Sequence, residues 1–331
     1  MSALHPGERK SPTIVARCFA AFLVAGALLI APVPSLAAEA PEQLAKWREQ
    51  ALALVNQARE EHGLPALTLG PQLNEAAQMH AADMFDRDYY AHTSPEGDTV
   101  QDRYMDAGGS RWKFVAENIA RCEECTPPIT AERVERLQTG WMNSPPHREA
   151  ILGEGLENFG YGIVLGADNG LYAVQTFAGP GTPRGLASGE EPRVLDPANA
   201  AARMADLLNR ARERQNLGAL NHSEALDAVA NSVLPPPESE TIDLDTSGDL
   251  FSALPEGERT AWRRVSVIAG VCGGCGKEPT EADLRSFREQ WLDNPQYSRQ
   301  LLGSTFSSLG FALQVNGEGR KVAVLVLAAR R

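Results

Sequence analysis

Apolar residues along this chain recur first at helical steps and only later in alternation. From Trp47 onward Leu52, Val55 and Ala58 fall three or four residues apart, which predicts a helix ending near His62-Gly63, where glycine suits the C′ position. A second amphipathic helix is predicted over residues 71–87, with Leu73, Ala76, Ala77, His80 and Met84 on one stripe. On that stripe His80 reads as a core or core-edge histidine, whereas His62 and His222 read as surface or turn residues. Pro95-Glu96-Gly97-Asp98 marks a turn, a third helix is expected from Val100 to about Ala107, and Gly108-Gly109 ends it. Residues 112–120 have room for a short strand, and 130–143 read as a helix with Thr130 as N-cap. Gly160–Leu165 and Leu171–Phe177 then read as strands joined through Ala167-Asp168-Asn169-Gly170, which is hairpin chemistry. Helices first and a hairpin last predict an α+β fold, with helices packed on a small central sheet.

From Gly179 to about Pro197 the composition shifts to Gly, Pro, Ser and Glu, as in a linker. After it the pattern starts again. Leu54-Val-Asn56-Gln-Ala58-Arg59-Glu60 returns as Leu207-Leu-Asn209-Arg-Ala211-Arg212-Glu213, displaced by 153 residues, and Leu67 and Leu73 return as Leu220 and Leu226. The displacement then becomes 150, as a three-residue deletion would produce, for Trp112 and Trp262, Cys122 and Cys272, Cys125 and Cys275, Trp141 and Trp291, and Gly160 and Gly310. A long period occurring twice predicts tandem domains, not a solenoid.

Composition bounds the partners. Hydrophobic residues make up 43% of the 331-residue chain and charged residues 22%, enough for a real core and two domains. The formal net charge of −12 argues against a nucleic-acid partner, which would need a basic face. At the N-terminus Glu8-Arg9-Lys10 and Arg17 precede an apolar run from Cys18 to about Leu36, closed by Ser35-Leu36-Ala37. That is the layout of a cleaved signal peptide, with an uncleaved membrane anchor as the alternative. Pro32, Pro34 and the alanine-rich exit favour cleavage, and Cys18 opens the apolar run instead of closing it, which speaks against a lipoprotein anchor. No later stretch is apolar enough to span a membrane, so the protein is expected to be exported, to the periplasm or the medium. The expected layout is a signal segment over 1–37, a first domain over 38–178, a linker over 179–197 and a degenerate second copy over 198–331.

Three islands carry the candidate chemistry: Ala91-His92-Thr93-Ser94-Pro95, Ala116-Glu117-Asn118-Ile119-Ala120, and Trp141-Met142-Asn143-Ser144-Pro145-Pro146-His147-Arg148. In order and spacing they resemble the CAP superfamily of cysteine-rich secretory, antigen-five and pathogenesis-related proteins, its bacterial branch above all. The resemblance implies a three-layer α-β-α sandwich, here in two tandem copies. It also implies a cleft in which His92 and His147 converge beside Glu117, with Asn118 in support, and in which a divalent cation such as zinc can be held. Ala116 and Thr93 depart from the glycine and serine usual in these motifs, and Ser144 stands where many relatives have a second glutamate. About three ligands remain, so any zinc is expected to be labile. The second copy keeps packing positions and drops this set, for Asp245, Val267 and Tyr297 stand opposite His92, Glu117 and His147. Its expected role is to cover or support the first copy.

The cysteine pairs, Cys122 with Cys125 and Cys272 with Cys275, allow three readings: local disulfides, a shared zinc site, or redox pairs. The two glutamates inside the first pair would raise thiol pKa and speak against redox use. Function has several readings too. One is a binding module for a small molecule, lipid or cell-envelope component. Another is a hydrolase in which Glu117 and a metal activate water. The last is an envelope scaffold for protein contacts. No Gly-x-Ser-x-Gly or His-Glu-x-x-His motif supports the enzyme.

Overall fold

The computed structural model describes residues 41–166, 170–242 and 250–331. The expected signal segment, the hairpin residues 167–169 and Asp245 lie outside the described residues. Chain order is α1 (Pro41–Glu61), β1 (Thr68–Leu69), α2 (Pro71–Asp86), α3 (Val100–Asp106), β2 (Phe114–Cys122), α4 (Ala131–Asn143), α5 (Pro145–Ile151), β3 (Asn158–Leu165) and β4 (Leu171–Gly179). A second series follows: α6 (Ala200–Glu213), β5 (Asn221–His222), α7 (Glu224–Ser232), β6 (Trp262–Cys272), α8 (Glu281–Asp293), α9 (Pro295–Leu301), β7 (Ser308–Val315) and β8 (Lys321–Arg330).

Two four-stranded sheets result, ordered β1-β3-β4-β2 and β5-β7-β8-β6. In each the two-residue strand pairs in parallel and the other neighbours are antiparallel. Strand alternation sorts the core into layers. Leu171, Ala173 and Phe177 of β4 join Val55 of α1 and Trp141 of α4 in one cluster, while Tyr172 and Val174 pack with Ala77, Ala81 and Met84 of α2 on the opposite face. The first series is therefore a three-layer α-β-α sandwich, and the two sheets fit two tandem copies.

Matching side chains do matching work in the two halves. Arg59 and Arg212 are both buried, and each spends its guanidinium on three backbone carbonyls: Pro65, Ile151 and Gly153 for the first, Gly218, Leu301 and Gly303 for the second. Asn56 exchanges two hydrogen bonds with Leu67, and Asn209 does so with Leu220. Gly160 and Gly310 let a helix approach the sheet backbone, since a Cβ there would collide with Leu73 or Leu226.

Three features differ from the sequence expectation. α1 begins at Pro41, ahead of Trp47: Leu44, three residues before Trp47, is partly buried against the same core cluster and carries the apolar period one turn further back. A short helix, α5, starts at Pro145, which sits at N1, where a missing N–H costs nothing. The stretch 179–197 packs on the second series: Leu195 is buried and donates to Pro279 O, and Arg285 grips both the Gly185 carbonyl and the Glu190 carboxylate.

Candidate functional site

The site is built around β2, an edge strand that pairs only with β4. Adjacent residues of a strand face opposite ways. Ile119 packs on the α2 side and Ala116 and Ala120 on the α1/α4 side, so Glu117 looks toward α2 and Asn118 toward α4 and α5.

Glu117 is the centre of the arrangement. Its side chain is 2% exposed. One carboxylate oxygen accepts from His92 Nδ1 at 2.9 Å, and the other accepts from Arg103 at 2.7 Å. His80, on α2, stands with Nε2 3.8 Å from the first oxygen. Arg103 is aimed from α3, whose start is fixed by a capping box between Thr99 and Asp102. The same guanidinium donates to the carbonyls of His92 and Asp98, tying the loop after α2 to the strand. His92 itself is open, with 55% of its side chain exposed.

On the other side of the strand, Asn118 donates to His147 O at 3.1 Å and to Gln175, which donates to Gln138. Trp141 Nε1 and Tyr90 Oη both donate to Ile119 O. These bonds hold α4, α5 and the His92 loop on one short length of β2. His147 lies half-buried in α5, directly after its proline pair.

The electrostatics favour neutral imidazoles at His147 and His80. Burial lowers the His147 pKa, and the neighbouring His92 lowers it further. His80 is also held below the ordinary histidine value, because burial outweighs the attraction of Glu117. The His80–Glu117 contact therefore joins a neutral ring to a carboxylate at pH 7. Burial, followed by the bond to Asp83, pushes the Tyr89 phenol above its usual range.

The structure brings His92 and Glu117 into direct contact and sets Asn118 under His147. Two further members carry no site signal in the sequence. His80 is in the core as expected, but its ring reaches the carboxylate. Arg103 is marked only by lying in a short polar helix. Each oxygen of Glu117 already accepts a hydrogen bond and the side chain is 2% exposed, so little of the carboxylate is open to a metal. Among the described residues no group of three or more His, Cys, Asp and Glu side chains is arranged to hold a metal. What the structure offers a cation is His92, with Glu117 bonded behind it, and His147, whose pKa the neighbouring His92 lowers. The four cysteines form two local disulfides, Cys122–Cys125 and Cys272–Cys275, in line with the first of the three readings.

The three-layer sandwich of the first series defines the class of fold. The model of the cysteine-rich secretory protein family, CAP, matches residues 52–177, and over that stretch the chain carries a CAP domain. The chain is 31% identical over 140 residues to YkwD of Bacillus subtilis, described as uncharacterised; the match covers 42% of this chain and 50% of YkwD. The chain thus spans about half the length of this relative. An extracellular SCP-domain protein of Bacillus anthracis is 28% identical, with a TM-score of 0.35, over 43% of this chain and 44% of that one. An outer surface protein of Borrelia burgdorferi is 20% identical, with a TM-score of 0.36, over 43% of this chain and 96% of that one. No helix of the described residues is long and apolar enough to cross a membrane.

Proposed function

We propose that the chain is an exported binding module, periplasmic or secreted, whose first CAP domain holds a small ligand or envelope component at the His92–His147 cleft, with a labile divalent cation such as zinc. The observation that carries this reading is the 2.9 Å bond between His92 Nδ1 and Glu117. A buried carboxylate is an acceptor, so Nδ1 donates and the Nε2 lone pair is left available. A carboxylate behind an imidazole is also the usual outer partner of a metal-binding histidine. His92 and His147 would hold the cation, which would supply Lewis acidity, and Glu117 would orient His92 and balance Arg103.

The same bonds weigh against hydrolysis. A general base must be free to take a proton from water. Glu117 is ion-paired to Arg103, bonded to His92 and almost wholly buried, so water has little access to it. The second copy is then a support: it has Val267 and Tyr297 where the first has Glu117 and His147.

Zinc titration calorimetry at pH 7.5, on the wild type and on His92→Ala/His147→Ala, tests the reading. Wild type is expected to take up one weakly held ion and the double variant none. Binding should weaken as pH falls, with His147 protonating only below the ordinary histidine value because burial holds its pKa down. Equal uptake by both proteins would sink the proposal.

A further inference from the structure

The outer edge of β2 carries a second feature, independent of the imidazoles. Thr68 N and Gly70 N donate to the carbonyls of Glu157 and Phe159, so these carbonyls turn toward β1; Glu157 N, just ahead of β3, donates to Ala178 O, and within the strands the even-numbered residues of β3 and β4 bond each other. The odd-numbered residues of β4 are left to bond β2, where Gln175 and Phe177 stand opposite Asn118 and Ala116. Val115, Glu117 and Ile119 must therefore direct their backbone N–H and C=O away from the sheet. Ile119 O agrees, for it accepts from Tyr90 and Trp141. Val115 and Glu117 have no such cap among the described residues, although β2 is a long edge that would otherwise need one.

On the Phe114 and Ala116 side of β2 lies a groove of about 410 Å³, with Phe114, Ala116, Glu149, Glu154, Thr182 and Gly274 in its walls. Phe114 is 44% exposed. Glu149 and Glu154 are exposed and have no ion-pair or hydrogen-bond partner among the described residues, and no lysine or arginine is among the groove's lining residues. The nearby Arg184 is engaged with Gly273 O. Gly274 comes from the second copy, in the loop closed by Cys272–Cys275. That loop is seated by Gly274 N on Trp112 O at 2.7 Å and Gly276 N on Pro180 O at 2.8 Å. The second copy thus supplies a wall that the first lacks.

We propose that this groove docks an extended basic peptide segment, which pairs with β2 through Val115 and Glu117 and directs alternate lysine or arginine side chains at Glu149 and Glu154. Edge pairing supplies affinity that is indifferent to sequence, and the two carboxylates with Phe114 select for cationic side chains. Metal plays no part.

The test is fluorescence anisotropy on the signal-free chain in EDTA, with labelled Ac-Lys-Val-Lys-Val-Lys-NH2 as probe. Saturable binding is expected that weakens at least tenfold in Glu149→Gln/Glu154→Gln, a pair of surface changes, and falls with salt. Methylating both valine nitrogens of the probe should abolish it, and the probe should shift the amide resonances of Val115 and Glu117. His92→Ala/His147→Ala should bind it unchanged, which separates this site from the metal reading. The proposal is overturned if the N-methylated or the glutamate-for-lysine peptide binds as well, if the double glutamine variant is unaffected, or if removing the imidazoles abolishes binding.

Discussion

The two sheets share strand order and, from Phe114 and Arg264 onward, the same antiparallel registers, yet the first edge buries a carboxylate and an amide where the second has Val267 and Ile268. Glu117 lies opposite Thr176 on the first sheet, and Val267 lies opposite Val326 on the second. Asn118 faces Gln175, whereas Ile268 faces Leu325. His80 and His147 have Val233 and Tyr297 at the corresponding displacements. The second edge packs without any of the polar set, so the fold has no need of it. Burying a carboxylate and an amide ladder is costly unless every group is satisfied, and a cost that the scaffold does not require points to a function. The clamps at Arg59 and Arg212 teach the opposite lesson: what both halves keep is structural.

The largest effect should come from those clamps. Arg59→Ala and Arg212→Ala should each destabilise their half by about 3 kcal/mol or more, because buried carbonyls lose their donors. Urea unfolding followed by tryptophan fluorescence would read this, and a near-silent Arg212→Ala would break the equivalence of the halves. Next, Glu117→Leu should cost about 3 kcal/mol by stranding Arg103, while Val267→Leu should cost under about 1. Equal losses would mean that the carboxylate is ordinary packing. A smaller effect sharpens the ladder comparison. Asn118→Ile alone should cost about 2 kcal/mol, but adding Gln175→Leu, which recreates the pair of the second sheet, should cost less than the sum by about 1.

The smallest effect is in pH. The folded state holds His80 below its unfolded pKa, through burial first. The unfolded chain therefore binds the proton more readily, and the stability this gives is present above the unfolded value and is lost as pH falls toward the folded one. His80→Leu should flatten that part of the stability profile between about pH 7 and pH 5. An unchanged slope would place the titration elsewhere.

Much of this is legible in the sequence. The stripe from Leu73 to Met84, the Thr130 cap and the closing strands depend on local periodicity, and local periodicity is what a sequence displays. α5 is hidden because Pro145-Pro146 reads as a stop, although proline at N1 opens a helix as readily as it ends one. The stretch 179–197 has linker composition, and only tertiary contacts such as Arg285 with Glu190 show it packed. Within the site, His92, Glu117 and His147 stand out through motifs. Arg103 does not, because its partner lies across the fold and nothing in Val100–Asp106 marks one arginine as buried against a carboxylate. The apolar stripe places His80 in the core, but its contact with Glu117 depends on how α2 crosses the edge strand.

The protonation state of the His92 ring tests the proposed cation site most directly. A long-range proton–nitrogen NMR spectrum at pH 7.5 would assign its tautomer and follow it during zinc addition. The expected result is a proton on Nδ1, an unprotonated Nε2, and a zinc-induced shift confined to Nε2 and the His147 ring. A proton on Nε2, or zinc that leaves both rings unmoved, would contradict it.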